Sequence, residues 1–207
     1  MSVFERVWGA LPKGVQDAVA MGIDTVTRAP YPELPTADPA AEVRLYIAPV
    51  NYAGQAYRWS RAAERNPRTC ARNGGYAEIN PFGYPIDYPV RWRTMTHSRR
   101  WQREMLDRLA DQFTHVIVEA EMPILGGYAN SALLDQISAL QDRGLKVAMV
   151  AHGTDARLPS RHRDNVKWSP FVDDSWVPVA EHEKNVQHNL DMIEAAATPV
   201  FVSTPGL

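Results

Sequence analysis

A histidine and an aspartate follow a short apolar segment and are the most informative residues of the sequence. His152 and Asp155 come after KVAMVA, with Gly153 between them and Arg157 two residues further on. Histidine can accept a proton near neutral pH, and the planar guanidinium of arginine can hold a phosphate or carboxylate through two hydrogen bonds. Glycine lets the backbone approach a ligand closely. These four residues predict a catalytic or binding loop. In the alternative interpretation, the histidine is only packed in the structure and the aspartate only forms a turn.

Two carboxylates follow a second apolar segment. Glu119 and Glu121 lie at the end of HVIV. A carboxylate at this position could bind sugar hydroxyls or act as a base. Alternatively, Glu121 could simply cap the next element, and the sequence favours neither role.

A third candidate loop, Asn51 to Gln55, joins an apolar run to a helix-forming segment. The backbone N–H groups and dipole of a helix N-terminus favour an anionic or hydroxylated ligand, which makes Asn51, Gly54 and Gln55 candidate binding residues. In the alternative interpretation, Asn51 caps the helix and Gly54 permits a tight turn. The sequence contains no G-x-G-x-x-G, no phosphate-binding P-loop and no G-x-S-x-G. A classical NAD site, a P-loop NTPase and an α/β-type serine hydrolase are therefore disfavoured.

Metal and thiol chemistry have little support. His152, Asp155 and His162 match no compact zinc spacing, and H-E-x-x-H is absent, so we expect no metal and no cofactor. The single cysteine, Cys70, cannot form an internal disulfide, which favours a reducing, cytoplasmic setting.

Apolar segments alternate with helix-forming ones along most of the chain. Strands are predicted at Val43–Val50, His115–Ala120, Lys146–Ala151 and Val200–Ser203, with short strands and turns between Thr69 and Tyr88. Helices are predicted at 54–65, 98–114, 130–144 and 181–197. This alternation predicts an α/β fold: a Rossmann-like open parallel sheet with helices on both faces and right-handed crossovers. Ligands bind such sheets outside the carboxyl ends of the strands, where all three candidate loops lie.

The sequence divides into an N-terminal extension and one domain. Residues 1–41 read as an amphipathic helix and a proline-rich linker, and residues 42–207 as the Rossmann-like domain. The helix could pack on the domain or contact a membrane surface, and no apolar run is long enough to cross a bilayer. A net charge of -2, from 22 basic and 24 acidic residues, disfavours a nucleic-acid partner. We expect a cytoplasmic protein that could be peripheral at the inner membrane face.

Four segments together carry a resemblance to a known family. NYAGQAYRWSRA, THVIVEAEMPILGG, VAMVAHGTDARLPSRH and VFVSTPGL resemble the N-terminal half of bacterial, especially actinobacterial, glycosyltransferases of the GT-B fold in the group 1, family 4-like set. The resemblance spans Val43 to Leu207. In that family two Rossmann-like domains face each other across a cleft. The N-terminal domain mostly binds the acceptor, and the C-terminal domain mostly binds the nucleotide-sugar donor.

The resemblance implies a retaining, metal-independent transfer of a sugar from a nucleotide-sugar to a hydroxyl acceptor. His152 would be the catalytic residue near the reacting sugar, and Asp155 and Arg157 would line the acceptor side. The loop from Asn51 would lie near the donor diphosphate, although the family often has two adjacent glycines where this chain has Ala53 and Gly54.

The resemblance also implies that a partner is needed. The family's donor domain carries Lys/Arg residues and an E-x-x-x-x-x-x-x-E region, and nothing after Leu207 supplies them. The chain would then be truncated or half of a split enzyme, and would transfer little without a C-terminal donor-binding domain or partner chain. Two other functions stay open: a stand-alone sugar- or nucleotide-binding module, and a metal-dependent hydrolase that uses His152, Asp155 and His162.

Overall fold

Six short strands form one sheet in which every neighbouring pair runs parallel. The structure is a computed structural model that describes residues 3–27, 30–78, 80–128 and 132–204. In these residues the strands are β1 (Val43–Ala48), β2 (Thr69–Tyr76), β3 (Tyr88–Val90), β4 (His115–Glu119), β5 (Lys146–Ala151) and β6 (Val200–Val202). Their order in the sheet is β3-β2-β1-β4-β5-β6. The predicted α/β, Rossmann-like parallel sheet is confirmed.

Eight helices surround this sheet in the same part of the chain. They are α1 (Val3–Ala10), α2 (Lys13–Val26), α3 (Gln55–Ala63), α4 (Trp92–His97), α5 (Arg99–Gln112), α6 (Leu133–Gln141), α7 (Pro159–Asn165) and α8 (Val179–Ala196). A 3-10 turn at Tyr52–Gly54 precedes α3. Ser98 is the N-cap of α5, and its hydroxyl accepts a hydrogen bond from the Trp101 N–H at 3.3 Å. Helices α4 and α7 are too short to leave a periodic apolar pattern, and the sequence did not reveal them.

The two faces of the sheet are covered by different helices. Side chains alternate between the faces along a strand, so Tyr46 and Ala48 of β1 point into the main core while Ile47 points the other way. The main core also holds apolar residues of α5 and α6, with α8 packed against its edge. Helix α3 contacts β1 and β2 from the opposite face.

The predicted N-terminal amphipathic helix is two helices. Pro12 follows Leu11 and lies between α1 and α2, where a proline disfavours helical geometry at the preceding residue. Residues 30–42, which precede β1, contain no helix or strand. None of the helices in the described ranges is both long and apolar enough to cross a bilayer.

The strand order creates a crevice between β1 and β4. From β1 the chain moves outward through β2 and β3, and it then crosses back to β4 on the other side of β1. The loops that leave β1 and β4 therefore diverge at the carboxyl edge of the sheet. In open parallel sheets this switch point is where ligands bind.

Candidate functional site

The carboxylate of Glu119 lies at the switch point and fixes the loop that follows β1. Glu119 is the last residue of β4 and is fully buried. Its Oε2 atom accepts hydrogen bonds from the backbone N–H groups of Val50 and Asn51, both at 3.1 Å. These two bonds give a partner to a buried oxygen that would otherwise be unpaired. Glu119 thus links the ends of β1 and β4.

Asn51 and Gly54 hold the loop in shape. Asn51 has a φ of 59°, its side-chain N–H donates to the Pro85 carbonyl at 3.0 Å, and its Oδ1 accepts from the Tyr57 N–H at 3.0 Å. That second bond caps the first turn of α3. Gly54 has a φ of 71°, and a Cβ there would lie 2.9 Å from the Tyr84 ring. The geometry of both residues matches the cap and tight turn that the sequence left as alternatives.

The imidazole of His152 is held by two polar groups and two aromatic rings. Its Nδ1 atom lies 2.8 Å from Oε1 of Gln55, and its Nε2 atom lies 3.4 Å from Oε1 of Glu119. The Trp59 ring stacks on it at 5.6 Å between centroids, and the Tyr52 ring meets it edge-on at 5.3 Å. The structure therefore brings together three predicted residues, Gln55, Glu119 and His152, from three different strand ends.

The two ring nitrogens of His152 have different surroundings. Nε2 faces Oε1 of Glu119 at 3.4 Å without a hydrogen bond between them, and neither atom has a hydrogen-bond partner among the described residues. Gln55 can turn either its oxygen or its amide N–H toward Nδ1. Nδ1 is consequently the nitrogen at which a ligand that displaced Gln55 could exchange a proton.

Asp155 positions His152 through the backbone. Its carboxylate accepts from the N–H of His152 at 2.8 Å and from the N–H of Gly153 at 2.6 Å. Gly153 has a φ of 142°, which glycine adopts without strain. The His152 carbonyl accepts from the hydroxyls of Ser203 and Thr204 after β6. Asp155 forms the turn that the sequence offered as an alternative, and it also carries a negative charge into the cleft.

Glu121 is the most perturbed acid of the site. Ala120 and Glu121 have φ values of 54° and 53°, a conformation that costs non-glycine residues about 1 kcal/mol or more each. The Glu121 side chain is buried, and neither oxygen has a hydrogen-bond partner among the described residues. Burial, with the nearby negative charge of Asp155, raises the pKa of Glu121 to about 8. Glu121 therefore carries a proton at neutral pH and can donate a hydrogen bond.

Arg157 and a neighbouring arginine line a separate cleft of about 490 Å³. Arg157 and Arg161 lie on its wall with His162, and neither arginine forms an ion pair with any residue that the structure describes. A Cβ placed on Gly153 would lie 3.9 Å from Nη1 of Arg157. The guanidinium thus lies beside the loop that carries His152.

Sequence reasoning missed the aromatic walls of the site. Trp59 lies one helical turn after Gln55 on α3, and Tyr52 lies within the predicted loop. These two positions are the signal from which the rings could have been predicted to lie at the site. Beside them opens an apolar groove of about 390 Å³. It is lined by Gln55, Trp59, Ile117, Val150, Phe201, Val202 and Ser203.

The described side chains at this edge can exchange protons and bind hydroxyl groups, and they are not arranged as a metal site. Across the described ranges, no group of three or more His, Cys, Asp or Glu side chains is arranged to hold a metal ion. His152, Asp155 and His162 are thus not brought together as a ligand set, because His162 instead contacts Ser169 and the Phe171 ring.

Comparison with known proteins adds no assignment. No protein-family model matches the chain, and a search of curated proteins gives no match.

Proposed function

We propose that this chain is the acceptor-side half of a glycosyltransferase that moves a sugar from a nucleotide-sugar donor to a hydroxyl acceptor, with retention and without a metal. The observation that carries the proposal is the contact of His152 with Glu119 at the switch point of a β3-β2-β1-β4-β5-β6 sheet. The four segments that resemble the glycosyltransferase family supply these residues.

In this proposal His152 handles the acceptor proton. The acceptor hydroxyl takes the place of Gln55 and hydrogen-bonds to Nδ1 of His152. The bond between the sugar C1 and the donor diphosphate breaks first, and the acceptor oxygen then bonds to C1 on the face from which the diphosphate leaves, so the configuration is retained. Nδ1 takes the hydroxyl proton. Glu119 stabilises the resulting imidazolium through Nε2, as a carboxylate does beside a catalytic histidine. The nucleoside diphosphate leaves with the electron pair of the broken bond.

The other polar groups of the edge would bind substrate. Protonated Glu121 donates a hydrogen bond to a sugar hydroxyl, and Arg157 lies on the acceptor side. Tyr52 and Trp59 offer ring faces on which a sugar can stack. Asn51, Gly54, Gly153 and Asp155 keep the two loops in place around the bound sugar.

An exposed apolar surface beside the site supports the need for a second domain or partner chain. Phe201 and Val202 of β6 are 56% and 53% exposed, next to the groove lined by Ile117 and Val150. An apolar patch of this kind commonly marks an interaction surface. We propose that a donor-binding domain or partner chain covers it and brings the cations that stabilise the departing diphosphate.

The proposed setting is the cytoplasm, with a peripheral position at the inner membrane face. Cys70 is buried and unpaired, as expected in a reducing compartment. A peripheral position requires a surface that can contact lipid.

Transfer assays test the need for a partner. The chain is incubated with nucleotide-diphosphate sugars and soluble glycoside acceptors, alone and together with a candidate donor-binding domain, and products are detected by mass spectrometry. Transfer only in the combined sample is the expected result. Equal transfer by the chain alone would contradict the assignment as half of an active site.

A stand-alone binding module is the second candidate, favoured by the Trp59 ring on the wall of the open groove and by the Tyr52 ring beside His152. Calorimetry of the isolated chain distinguishes the two candidates. Micromolar binding of a sugar or nucleotide without any partner supports the module, whereas an acceptor half alone binds nucleotide-sugars poorly.

A further inference from the structure

Helix α2 turns its charged residues inward and leaves apolar residues on its outer side. Asp17 is only 8% exposed and contacts Lys13, His97 and Arg99. Near the end of the helix, Asp24 accepts a hydrogen bond from Arg93 at 2.9 Å. These ion pairs fix the orientation of α2 on α4 and on the start of α5.

The outer side of α2 carries an uninterrupted apolar row, which we call the outer stripe. Val15, Val19 and Ile23 are 44%, 44% and 41% exposed, and Val26 at the end of the helix is 84% exposed. Exposed Ala18 and Gly22 fill the row between them. Residues spaced by three and four positions share one face of a helix. No charged residue interrupts this face, and beside it the exposed Thr25 donates its hydroxyl hydrogen to the Met21 carbonyl at 2.9 Å.

Positive charge and tryptophan side chains flank the outer stripe. The segment from Arg91 to Glu104 contains five arginines and one acidic residue. Arg93 and Arg99 contact α2 by pairing with Asp24 and Asp17, and Arg100 pairs with Glu104. Arg91 and Arg103 form no ion pair with any residue that the structure describes, so they supply the excess positive charge. A groove of about 540 Å³ opens between the helices, with Trp8, Ile23 and Trp92 on its walls. Trp92 is 49% exposed.

We infer that the outer stripe of α2 and the flanking arginines form a docking surface for an anionic phospholipid bilayer. An apolar helix face beside basic residues lies in the headgroup region of such membranes, and tryptophan prefers the same depth. A protein partner fits less well, because a specific interface buries about 800 Å² on each side and the stripe is one row of small aliphatic side chains. A lipid surface needs no matching shape.

This inference specifies the peripheral location proposed above and is independent of the transfer chemistry. The binding surface lies on α2, α4 and α5, whereas His152 follows β5. A His152→Ala variant is therefore expected to bind vesicles as the wild type does, so failure of transfer and failure of docking give different results.

Vesicle flotation tests the docking surface. The full chain is mixed with vesicles of phosphatidylcholine alone, or of phosphatidylcholine with phosphatidylglycerol, and the bound fraction is measured. We expect at least about tenfold stronger binding to the anionic vesicles, and a decrease with added salt. Val19→Asp and Val15→Asp are each expected to weaken this binding about tenfold or more, because a charge would enter the headgroup region. Circular dichroism verifies that both variants are folded.

The matched control is Val172→Asp, which makes the same change at a valine that is 65% exposed and outside this surface. It is expected to bind like the wild type. Wild-type chain that fails to bind anionic vesicles, that binds both vesicle types equally, or that loses no binding in a folded Val19→Asp variant would overturn the inference. Light scattering that shows a dimer abolished by Val19→Asp, without vesicle binding, would assign the stripe to a second copy of the chain.

Discussion

Nε2 of His152 lies 3.4 Å from Oε1 of Glu119, and the other oxygen of the same carboxylate accepts the backbone N–H groups of Val50 and Asn51. One buried side chain therefore connects the ends of β1, β4 and β5. The loop after β1 and the ring after β5 are positioned by the same group, so a change at Glu119 acts on both.

The Glu119→Ala variant is expected to lose about 3 kcal/mol of unfolding free energy. The substitution leaves two buried N–H donors without a partner, and each unsatisfied group costs about 1 to 3 kcal/mol. Urea unfolding followed by circular dichroism measures the loss. Glu119→Gln is expected to keep most of the stability, because its amide oxygen can accept the same two bonds.

The control for this prediction is Glu42→Ala. Glu42 pairs with Arg68 at the surface, where both side chains are more than half exposed, at 63% and 67%. Loss of such a pair changes stability by about 1 kcal/mol or less. Equal losses in the Glu42 and Glu119 variants would mean that Glu119 does not anchor the loop.

The raised pKa of Glu121 predicts a stability that falls as the pH rises. In the folded chain this carboxyl holds its proton up to about pH 8, whereas in the unfolded chain it releases the proton near its ordinary pKa of 4.5. Its contribution to stability is therefore complete below pH 4.5 and decreases as the pH approaches 8.

Glu121→Gln removes this titration and keeps a neutral side chain of the same shape. Urea midpoints of the wild type and the variant, measured from acidic to mildly alkaline pH, are expected to diverge in favour of the variant as the pH rises. Parallel curves across the whole range would show that Glu121 ionises normally in the folded chain.

A close approach between β1 and β2 leaves no room for a side chain at Gly74 unless Tyr46 shifts. A Cβ on Gly74 would overlap the Tyr46 hydroxyl and would lie 2.8 Å from its Cζ atom. Gly74→Ala is expected to lower the free energy of unfolding by about 1 to 3 kcal/mol, and Tyr46→Phe in the same chain is expected to recover part of it. Thermal melting of the wild type, Gly74→Ala and the double variant is the measurement.

Gly22→Ala is the matched control for Gly74→Ala. Gly22 lies inside α2, and a Cβ there would meet nothing within 4 Å. Alanine in a helix interior is more favourable than glycine by about 0.5 to 1 kcal/mol, so this variant is expected to melt at a higher temperature. Destabilisation of both variants to the same degree would refute the steric explanation at Gly74.

The sheet could be predicted from the sequence because its central strands are nearly continuous apolar runs. VRLYIA, HVIVE and KVAMVA are each followed by polar or turn residues, which marks their carboxyl ends. The strand order could not be predicted, because pairing depends on which crossover the chain takes. The strand TCARNGGY was also hard to locate, because its two glycines are more typical of a turn than of a strand. Gly74 is needed there because the Tyr46 side chain of β1 packs against it.

The site was predictable as a set of loops but not as a set of contacts. Position after a strand identified His152 and Glu119, yet nothing in the spacing shows that they face each other. The sequence did not distinguish the role of Glu119 from that of Glu121. Burial and backbone conformation separate them, because Glu119 accepts two N–H bonds while Glu121, with a φ of 53°, has neither oxygen paired within the described residues.

The central claim is that His152 takes the acceptor proton, and transfer by a His152→Ala variant tests it most directly. Rates are measured in the presence of the donor-binding domain or chain, with His188→Ala, an exposed histidine on α8, as the matched control. We predict that His152→Ala lowers the transfer rate by about a hundredfold or more while His188→Ala transfers like the wild type. Transfer at the wild-type rate by a folded His152→Ala variant would contradict the claim.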